Sequence, residues 1–498
     1  MGRAFRGVSG MTAGKAAKAG IGYTLANLLV RGIGFITLPI FSRILDTHDF
    51  GVYNVFIAYD SVLVCLMGFA LHSSVKSANW QFPGQIDRYV STASLVYVAN
   101  AAVLVVAAVL FGPQISSLVG LDIAVIVLLV LHSFGAAVIA LYNARISLQY
   151  SYAKYMVVAT VNSVGNVALS LFLVFCLFDG QRLLGRVLGA TVVVAGLGFA
   201  IIIHFWRSAR PSLGKGYLSF GLKYSLPIVP HGVSQVILAQ FDRLMVNYMV
   251  SAEAAGIYGL AANLMVVMAV LTDSIGTVWT TWFYETMEGE SAADATKAKQ
   301  LSRAQLAERA GAVHRRSGQL MRAFAIVALG LMALAPEVVW ILGGDAYMDG
   351  AYCAFGMILS GYCVFLYNLI VAGEYYKQQT RWIMVATVLA ALIDLVLNYF
   401  AINAFGYAAA AYTTLAAYVF YVLLHWRVSR RLLGFSVIRA KGVLLVAAVL
   451  AFGVAADLLL FGNVAARIFV NIPLALLLAV PLVKSAGGVG GLKKILGR

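Results

Sequence analysis

The sequence predicts an all-α, polytopic membrane protein of about 14 transmembrane helices. These form two pseudo-symmetric six-helix lobes followed by two C-terminal helices. Three observations predict it. Long apolar segments recur along the whole chain, basic residues fall on alternate connections, and the second half repeats the order of the first. The 498 residues are 62% hydrophobic and only 11% charged, about half the charged share of a soluble domain.

The apolar segments lie near 20–42, 51–74, 89–111, 121–142, 155–177, 184–206, 224–241, 256–284, 321–342, 351–373, 383–403, 407–426, 442–461 and 468–483. Each is close to the ~20 residues a helix needs to cross a hydrocarbon core. With the N-terminus taken as cytoplasmic, Arg43, Arg182, Arg186, Arg243 and Arg467 fall on the outer side and Arg31 falls within a span. The other 30 of the 36 Lys and Arg are then cytoplasmic. Lys/Arg in short loops set the orientation of bacterial-type membrane proteins, so both termini are expected inside, with the chain in a bacterial cytoplasmic (inner) membrane. On this reading Arg31 is the one basic residue inside the bilayer. The net charge of +16 does not indicate nucleic acid. The basic residues are spread over every inner loop without an aromatic-interleaved patch, and attraction to the anionic inner leaflet accounts for them.

Several function classes are excluded. Cys65, Cys176, Cys353 and Cys363 are scattered through apolar segments with no CxxC pair, so they read as small core residues rather than metal ligands or disulfides. The first apolar stretch is too long for a cleaved signal peptide. The start Met1-Gly2-Arg3 lacks the Ser/Thr context of a myristoylation signal. No G-x-x-x-x-G-K-[ST], H-E-x-x-H or G-x-S-x-G pattern occurs, and Gly487–Gly491 reads as a flexible tail. The outer connections are short, most under about fifteen residues, which argues against a membrane enzyme of envelope glycan assembly. No catalytic activity and no cofactor are expected. Transport would draw on an ion gradient (H+ or Na+), on the substrate gradient, or on both. The longest polar stretch, 285–319, carries an Ala/Lys/Arg/Gln-rich run from Ala293 to Arg316 with good helix propensity. Leu301, Leu306, Val313 and Leu320 give it a weak apolar stripe. It reads equally as a helix on the inner membrane surface or as a solvated loop.

An internal repeat sets the domain organisation. Val158-Ala159-Thr160-Val161 in the fifth span matches Val385-Ala386-Thr387-Val388 in the eleventh, each preceded by a basic–aromatic pair, Lys154-Tyr155 and Arg381-Trp382, at an offset of 227. Arg43-Ile44-Leu45 matches Arg243-Leu244-Met245 at 200, and Gly51-Val52-Tyr53 matches Gly256-Ile257-Tyr258 at 205. The longer 285–319 loop accounts for the growth in offset. Six spans is an even number, so the second copy keeps the orientation of the first, as in parallel-repeat transporters. The lobes are expected at 1–214 and 215–435, with 436–498 holding the last two helices and a cytoplasmic tail.

Ser42-Arg43-Ile44-Leu45 followed by Asp49-Phe50-Gly51-Val52-Tyr53 resembles the end of the first helix in polysaccharide and O-antigen flippases of the MATE-like multidrug/oligosaccharidyl-lipid/polysaccharide exporter superfamily. Phe241-Asp242-Arg243-Leu244 with Ala255-Gly256-Ile257-Tyr258 is similar in the second lobe. So are Ile341-Leu342-Gly343-Gly344-Asp345-Ala346-Tyr347 and Ile402-Asn403-Ala404-Phe405-Gly406. The resemblance spans residues from about 15 to 430, and 14 spans favour the lipid-linked-sugar branches over the drug exporters. It implies a flippase moving an undecaprenyl-diphosphate-linked oligosaccharide from the inner to the outer leaflet by alternating access. A cation-coupled small-molecule exporter of the same fold is the alternative. Membrane lipids, a polymerase and other polysaccharide-assembly proteins are the partners it implies.

That task demands a polar path for a diphosphate and sugars. Arg31 lies about 18 Å before Arg43 along a helix, near mid-membrane, with Asn27 one turn away on the same face. At the repeat offset Arg31 corresponds to His231, and Gln235 lies one turn beyond. These four are the candidate substrate-binding residues, because a diphosphate takes cationic and hydrogen-bonding partners. The alternative is that Arg31 and His231 bond to carbonyls freed near Pro39, Pro227 and Pro230. Asp60 and Asp273 sit inside the equivalent second and eighth spans, and Asp394 and Asn398 share a face of the eleventh. These four are the ion-coupling candidates, with plain interhelical bonding as the alternative. Glu337 and Asp457 read as interfacial, and His132 and His204 as packing or interfacial residues.

Overall fold

The computed structural model describes residues 32–149, 151–288 and 302–485. Helices, a few of them short 3-10 turns, are the only regular elements among these residues. The chain divides into two compact units, one up to Gly256 and one from Ile257.

The first unit opens with α1 (Gly32–Ile44) and α2 (Thr47–Met67), whose N-cap Asp46 accepts from the Asp49 amide at 2.7 Å. The carboxylate thereby satisfies a donor that the helix start leaves open. The chain then turns through Phe69 and Ala70, both at positive φ, so the second apolar segment ends its helix at Met67 rather than continuing to residue 74. Next come α3 (Val75–Gln81), α4 (Ile86–Leu110), α5 (Gly112–Val119), α6 (Ile123–Ser147), α7 (Tyr152–Cys176), α8 (Arg182–Ser208), α9 (Tyr217–Ser225) and α10 (Val229–Met249). α6 is the hub of this unit, packed by α2, α4 and α8, and α10 lies along α2. Before α10 the chain breaks at a 3-10 turn, Leu226–Ile228. Pro227 and Pro230 fall at the starts of the turn and of α10, where a missing amide hydrogen is not needed.

The α-helix α11 (Ala252–Ala261) bridges the division. The second unit continues with α12 (Asn263–Glu288), α13 (Arg303–Ala333), α14 (Ala335–Gly343), α15 (Ala351–Tyr376), α16 (Thr380–Phe405), α17 (Ala409–Leu433), α18 (Ala440–Leu459) and α19 (Val464–Ser485). α15 is the hub here, packed by α12, α13 and α17, and it is largely buried. α13 starts with a reciprocal cap between Ser302 and Gln305. Of the polar run Ala293–Arg316, the part up to residue 301, Leu301 included, lies outside the described residues. The part from Arg303 is not a separate surface helix but the first half of α13, continuous with the ninth span. Val313 and Ser317 are buried there, and Ser317 Oγ donates to the Val437 carbonyl at 2.8 Å. α13 and α14 meet at a 60° bend at Leu334–Ala335, where Pro336 cannot continue the preceding helix.

The pairings repeat. α6 and α7 both pack on α8, as α15 and α16 both pack on α17, and α2 packs on α6 as α12 does on α15. Each set also contains a close backbone approach, midway along α6 and α8 in one and near the starts of α15 and α17 in the other. A Cβ on Gly135 of α6 would lie 2.2 Å from the Val194 carbonyl oxygen of α8, and one on Gly356 of α15 would lie 2.8 Å from that of Ala411 on α17. The all-α expectation holds among the described residues, and the count of 14 spans is not confirmed there. Eleven helices among the described residues are long and apolar enough to cross a membrane, or twelve if the bent pair α13–α14 is one span. The first segment is described only from Gly32 and forms a shorter helix. The seventh, α10, carries His231, Gln235, Gln240, Asp242, Arg243 and Asn247, too polar a face to count by hydropathy.

The motif glycines Gly51 and Gly256 explain each other. A Cβ on Gly51 would sit 1.8 Å from the Ala252 carbonyl oxygen and 3.0 Å from the Gly256 nitrogen, and one on Gly256 would sit 2.3 Å from the Thr47 carbonyl oxygen. Backbone meets backbone at the starts of α2 and α11, so no side chain can yield. Gly51→Ala should lower stability by roughly 1–3 kcal/mol through overpacking, read as a fall in the unfolding temperature of detergent-purified protein. Gly330→Ala, with open space around it, should be neutral or stabilising by up to about 1 kcal/mol.

Candidate functional site

Ionisable side chains inside a span are expensive unless the protein supplies a partner. In the first unit that partner is a histidine. Asp60, midway along α2, is 8% exposed, and its Oδ1 accepts from His132 Nδ1 at 2.8 Å on α6. Ser133 Oγ, the next residue, lies 2.7 Å from the same oxygen and 2.8 Å from the Leu129 carbonyl oxygen. Its single hydrogen serves one of the two at a time. Phe56, one turn before Asp60, closes edge-on against the His132 ring at 5.5 Å. Asp60 and His132 thus form a two-helix carboxylate–imidazole pair at the hub of the unit.

The second unit holds another such pair. Glu374 on α15 and His425 on α17 meet at 2.7 Å through Oε1 and Nδ1, and both side chains are fully buried. Neither residue was prominent in the sequence. Glu374 falls one residue beyond the tenth apolar segment, where a carboxylate reads as interfacial. The structure instead carries α15 to Tyr376 and buries the carboxylate.

The other sequence-derived candidates are placed as follows. His231 and Gln235 lie one turn apart on α10, both half-buried, and the Pro230 carbonyl is taken by Ser234 Oγ at 2.8 Å. Asn27 and Arg31 lie outside the described residues. Asp273 is exposed on α12. Asp394 and Asn398, one turn apart on α16, are fully buried, and Asn398 Oδ1 accepts from the Thr413 hydroxyl of α17. The structure joins Asp60 to His132 and aligns Asp394 with Asn398. Asp457 is fully buried, accepting from Asn471 Nδ2 at 2.7 Å, deeper than its position near a span end suggested.

Two arginines among the described residues are buried in apolar helices. Arg186 of α8, assigned to the outer side by sequence, buries its guanidinium. It donates to Asn166 Oδ1 at 2.6 Å, Ser170 Oγ at 2.7 Å and the Tyr53 hydroxyl at 2.7 Å, and it stacks 4.0 Å over Phe41. No carboxylate pairs with it among the described residues. A guanidinium is planar and weakly hydrated, so it tolerates stacking and neutral acceptors better than an ammonium. Arg467 of α19 is fully buried, donating to the Ala333 carbonyl at 2.9 Å and to Glu337 Oε1. It thereby caps the carbonyl end of α13 at the bend. The Glu337 side chain is partly exposed.

The Asp60–His132 bond is an energetic unit. Asp60→Ala and His132→Ala should each destabilise by roughly 1–3 kcal/mol, since each strands a buried polar partner. The double variant should fall short of additivity by about 1 kcal/mol or more in a double-mutant cycle of thermal unfolding.

Residues 16–287 match the polysaccharide biosynthesis protein family. No curated protein matches the sequence. Among solved structures, the chain is similar to the lipid II flippase MurJ in an inward closed conformation, with a TM-score of 0.70 and 13% identity over 93% of this chain and 98% of that one. It is also similar to multidrug-resistance MATE transporters of the MOP superfamily. An inward-facing one has a TM-score of 0.61 at 13% identity, covering 82% of this chain and 94% of that chain. An outward-facing one has a TM-score of 0.54 at 12% identity, covering 84% and 96%. At these identities the likeness is one of fold. On the match over more than half its length, this multi-pass membrane protein belongs to the polysaccharide biosynthesis protein family, and it has the fold of MOP-superfamily transporters.

Proposed function

We propose that the protein is a flippase that moves an undecaprenyl-diphosphate-linked oligosaccharide from the cytoplasmic to the outer leaflet of a bacterial inner membrane by alternating access, with both termini cytoplasmic. The family match over residues 16–287 carries this reading. The fold likeness supports it further, being greater to a lipid flippase than to the drug transporters in both TM-score and coverage. The alternative, a cation-coupled exporter of small molecules, rests on the MATE likeness.

The chemistry assigns roles. The diphosphate is an anion that favours guanidinium and imidazolium donors, so Arg31 with Asn27, and His231 with Gln235, are its proposed partners. Asp60, Asp273, Asp394 and Asn398 are the proposed ion-coupling residues, for H+ or Na+. Asp60 has the best-defined case for a proton, because it is bonded to a second titratable group, His132. Ligand and ion drive the transition only through differential affinity for its two states. Membrane lipids, a polymerase and other assembly proteins are the proposed partners. No cofactor is assigned.

The test uses proteoliposomes carrying a fluorescent undecaprenyl-diphosphate oligosaccharide, with leaflet exposure read by a membrane-impermeant quencher. Wild-type protein should flip the lipid. Arg31→Ala and His231→Ala should each slow flipping by about tenfold or more, the loss of one good charge-assisted contact, and Arg31→Lys should recover part of the rate. Protein that leaves the lipid in place yet exports organic cations would establish the exporter reading instead.

A further inference from the structure

The Glu374–His425 pair is more completely buried than Asp60 and His132. Both side chains are at zero exposure. Glu374 Oε2 and His425 Nε2 are also buried, each without a hydrogen-bond partner among the described residues. The pair therefore compensates its own charge through a single contact.

That geometry restricts the proton count. With one dissociable proton shared between them, the pair is neutral overall, whether written as carboxylate and imidazolium or as carboxylic acid and imidazole. Removing that proton leaves a net negative charge on a buried pair with no cationic side chain bonded to it among the described residues. Adding a second proton leaves a net positive charge. One proton is the occupancy that a closed α15–α17 contact accepts.

Among the described residues no other charged side chain pairs with the two; the nearest basic groups in sequence that have ring contacts, Lys377 and Arg430, lie over the Tyr376 and Trp426 rings. On α15 the titratable neighbours are Tyr367, whose ring lies 4.8 Å from that of His425, and Tyr375. On α17 the neighbour is Tyr421, at 4.5 Å. α16 contributes the Thr387 hydroxyl, 3.1 Å from the Tyr421 hydroxyl. Glu288 of α12 and Arg309 of α13 act on Tyr376, two residues further on. No lysine or arginine pairs with Glu374 among the described residues. The helices are also close at this level. A Cβ on Gly373 would sit 2.7 Å from Ser429 Oγ and 2.7 Å from Leu433 Cδ1, and Ser429 Oγ donates to the Ile370 carbonyl at 3.3 Å.

We infer that Glu374 and His425 form a one-proton lock between α15 and α17, and that this proton is a coupling ion of transport. The proton holds the two helix ends together, and its loss requires them to part and admit water. The charge pattern of the chain places these ends on the cytoplasmic side, so the exchange is with the cytoplasm. The lock is closed at low pH and opens as pH rises. The coupling half of this inference rests on the flippase reading, whereas the lock itself does not.

Two arms test it. In a background lacking the native cysteines, Ser429→Cys places a buried thiol one turn from His425, and Ser302→Cys provides an exposed reference. Alkylation by a water-soluble maleimide is followed between about pH 6 and 8, around the imidazole range, and normalised to the reference for thiolate formation. The normalised rate at position 429 should climb with pH, by at most about tenfold per unit for one linked proton. It should be flat in Glu374→Gln, which still accepts the imidazole hydrogen bond but holds no exchangeable proton. The same pH profile with and without Glu374→Gln would overturn the lock. In the second arm, an imposed pH gradient should accelerate glycolipid flipping by wild-type protein but not by Glu374→Gln. Full gradient dependence in Glu374→Gln would overturn the coupling role. A wild-type protein that flips no glycolipid would refute the flippase reading, and the labelling arm would still decide the lock.

Discussion

A charged side chain within a hydrocarbon layer must find its compensation inside the protein, and the polar interior of this molecule follows from that constraint. Each unit places a carboxylate–imidazole pair between helices at its hub, Asp60 with His132 and Glu374 with His425. Arg467 is satisfied by Glu337 and by a carbonyl at the end of α13. Arg186 is satisfied by neutral oxygens and two aromatic rings. Asp60–His132, Glu374–His425, Arg186–Tyr53 and Arg467–Glu337 join helices that are not consecutive, so the same bonds that admit these charges also fix which helices are neighbours. Removing one partner is therefore worse than removing both.

Glycine does the complementary work. Lipid provides no hydrophobic drive between helices, so close backbone approach and interhelical bonding hold a bundle together. Gly135 against Val194 and Gly356 against Ala411 bring the hub helix of each unit onto its partner, α8 or α17. Both units thus use a glycine to bring the corresponding pair of helices into backbone contact, at different depths. In a transporter, such tight, small-residue contacts allow helices to part and re-form without repacking bulky side chains.

Much of the fold was legible in the chain. Apolar length gave the helices, and matched residues such as Gly51 and Gly256 gave the duplication before their backbone contact explained it. What hydropathy misplaced were boundaries. The seventh segment, read as 224–241, is in the structure a 3-10 turn at Leu226–Ile228 followed by a 21-residue helix that runs on to Met249. The run after residue 302 read equally as a surface helix or a solvated loop because Arg and Gln dominate it, yet His314 and Ser317 bond to the Ser436 and Val437 carbonyls and it continues into the ninth span. Among candidate site residues, Asp60 could be singled out because it interrupts an apolar run. Its partner His132 could not, since nothing local in sequence joins α2 to α6. Glu374 was hidden by a boundary one residue short, and Arg186 by its place near a helix start.

The central claim is that these imidazoles are held inside the protein by carboxylates rather than exposed to water. Nitrogen-15 solid-state NMR of histidine-labelled protein in bilayers tests it most directly. His132→Gln and His425→Gln assign the two signals, and the exposed His48 serves as reference. The His132 and His425 signals should each carry the shift of an Nδ1 strongly hydrogen-bonded to a carboxylate, and the shift should be lost in Asp60→Ala and Glu374→Ala respectively. Nδ1 shifts at both positions equal to that of His48, and unchanged in those variants, would contradict the account.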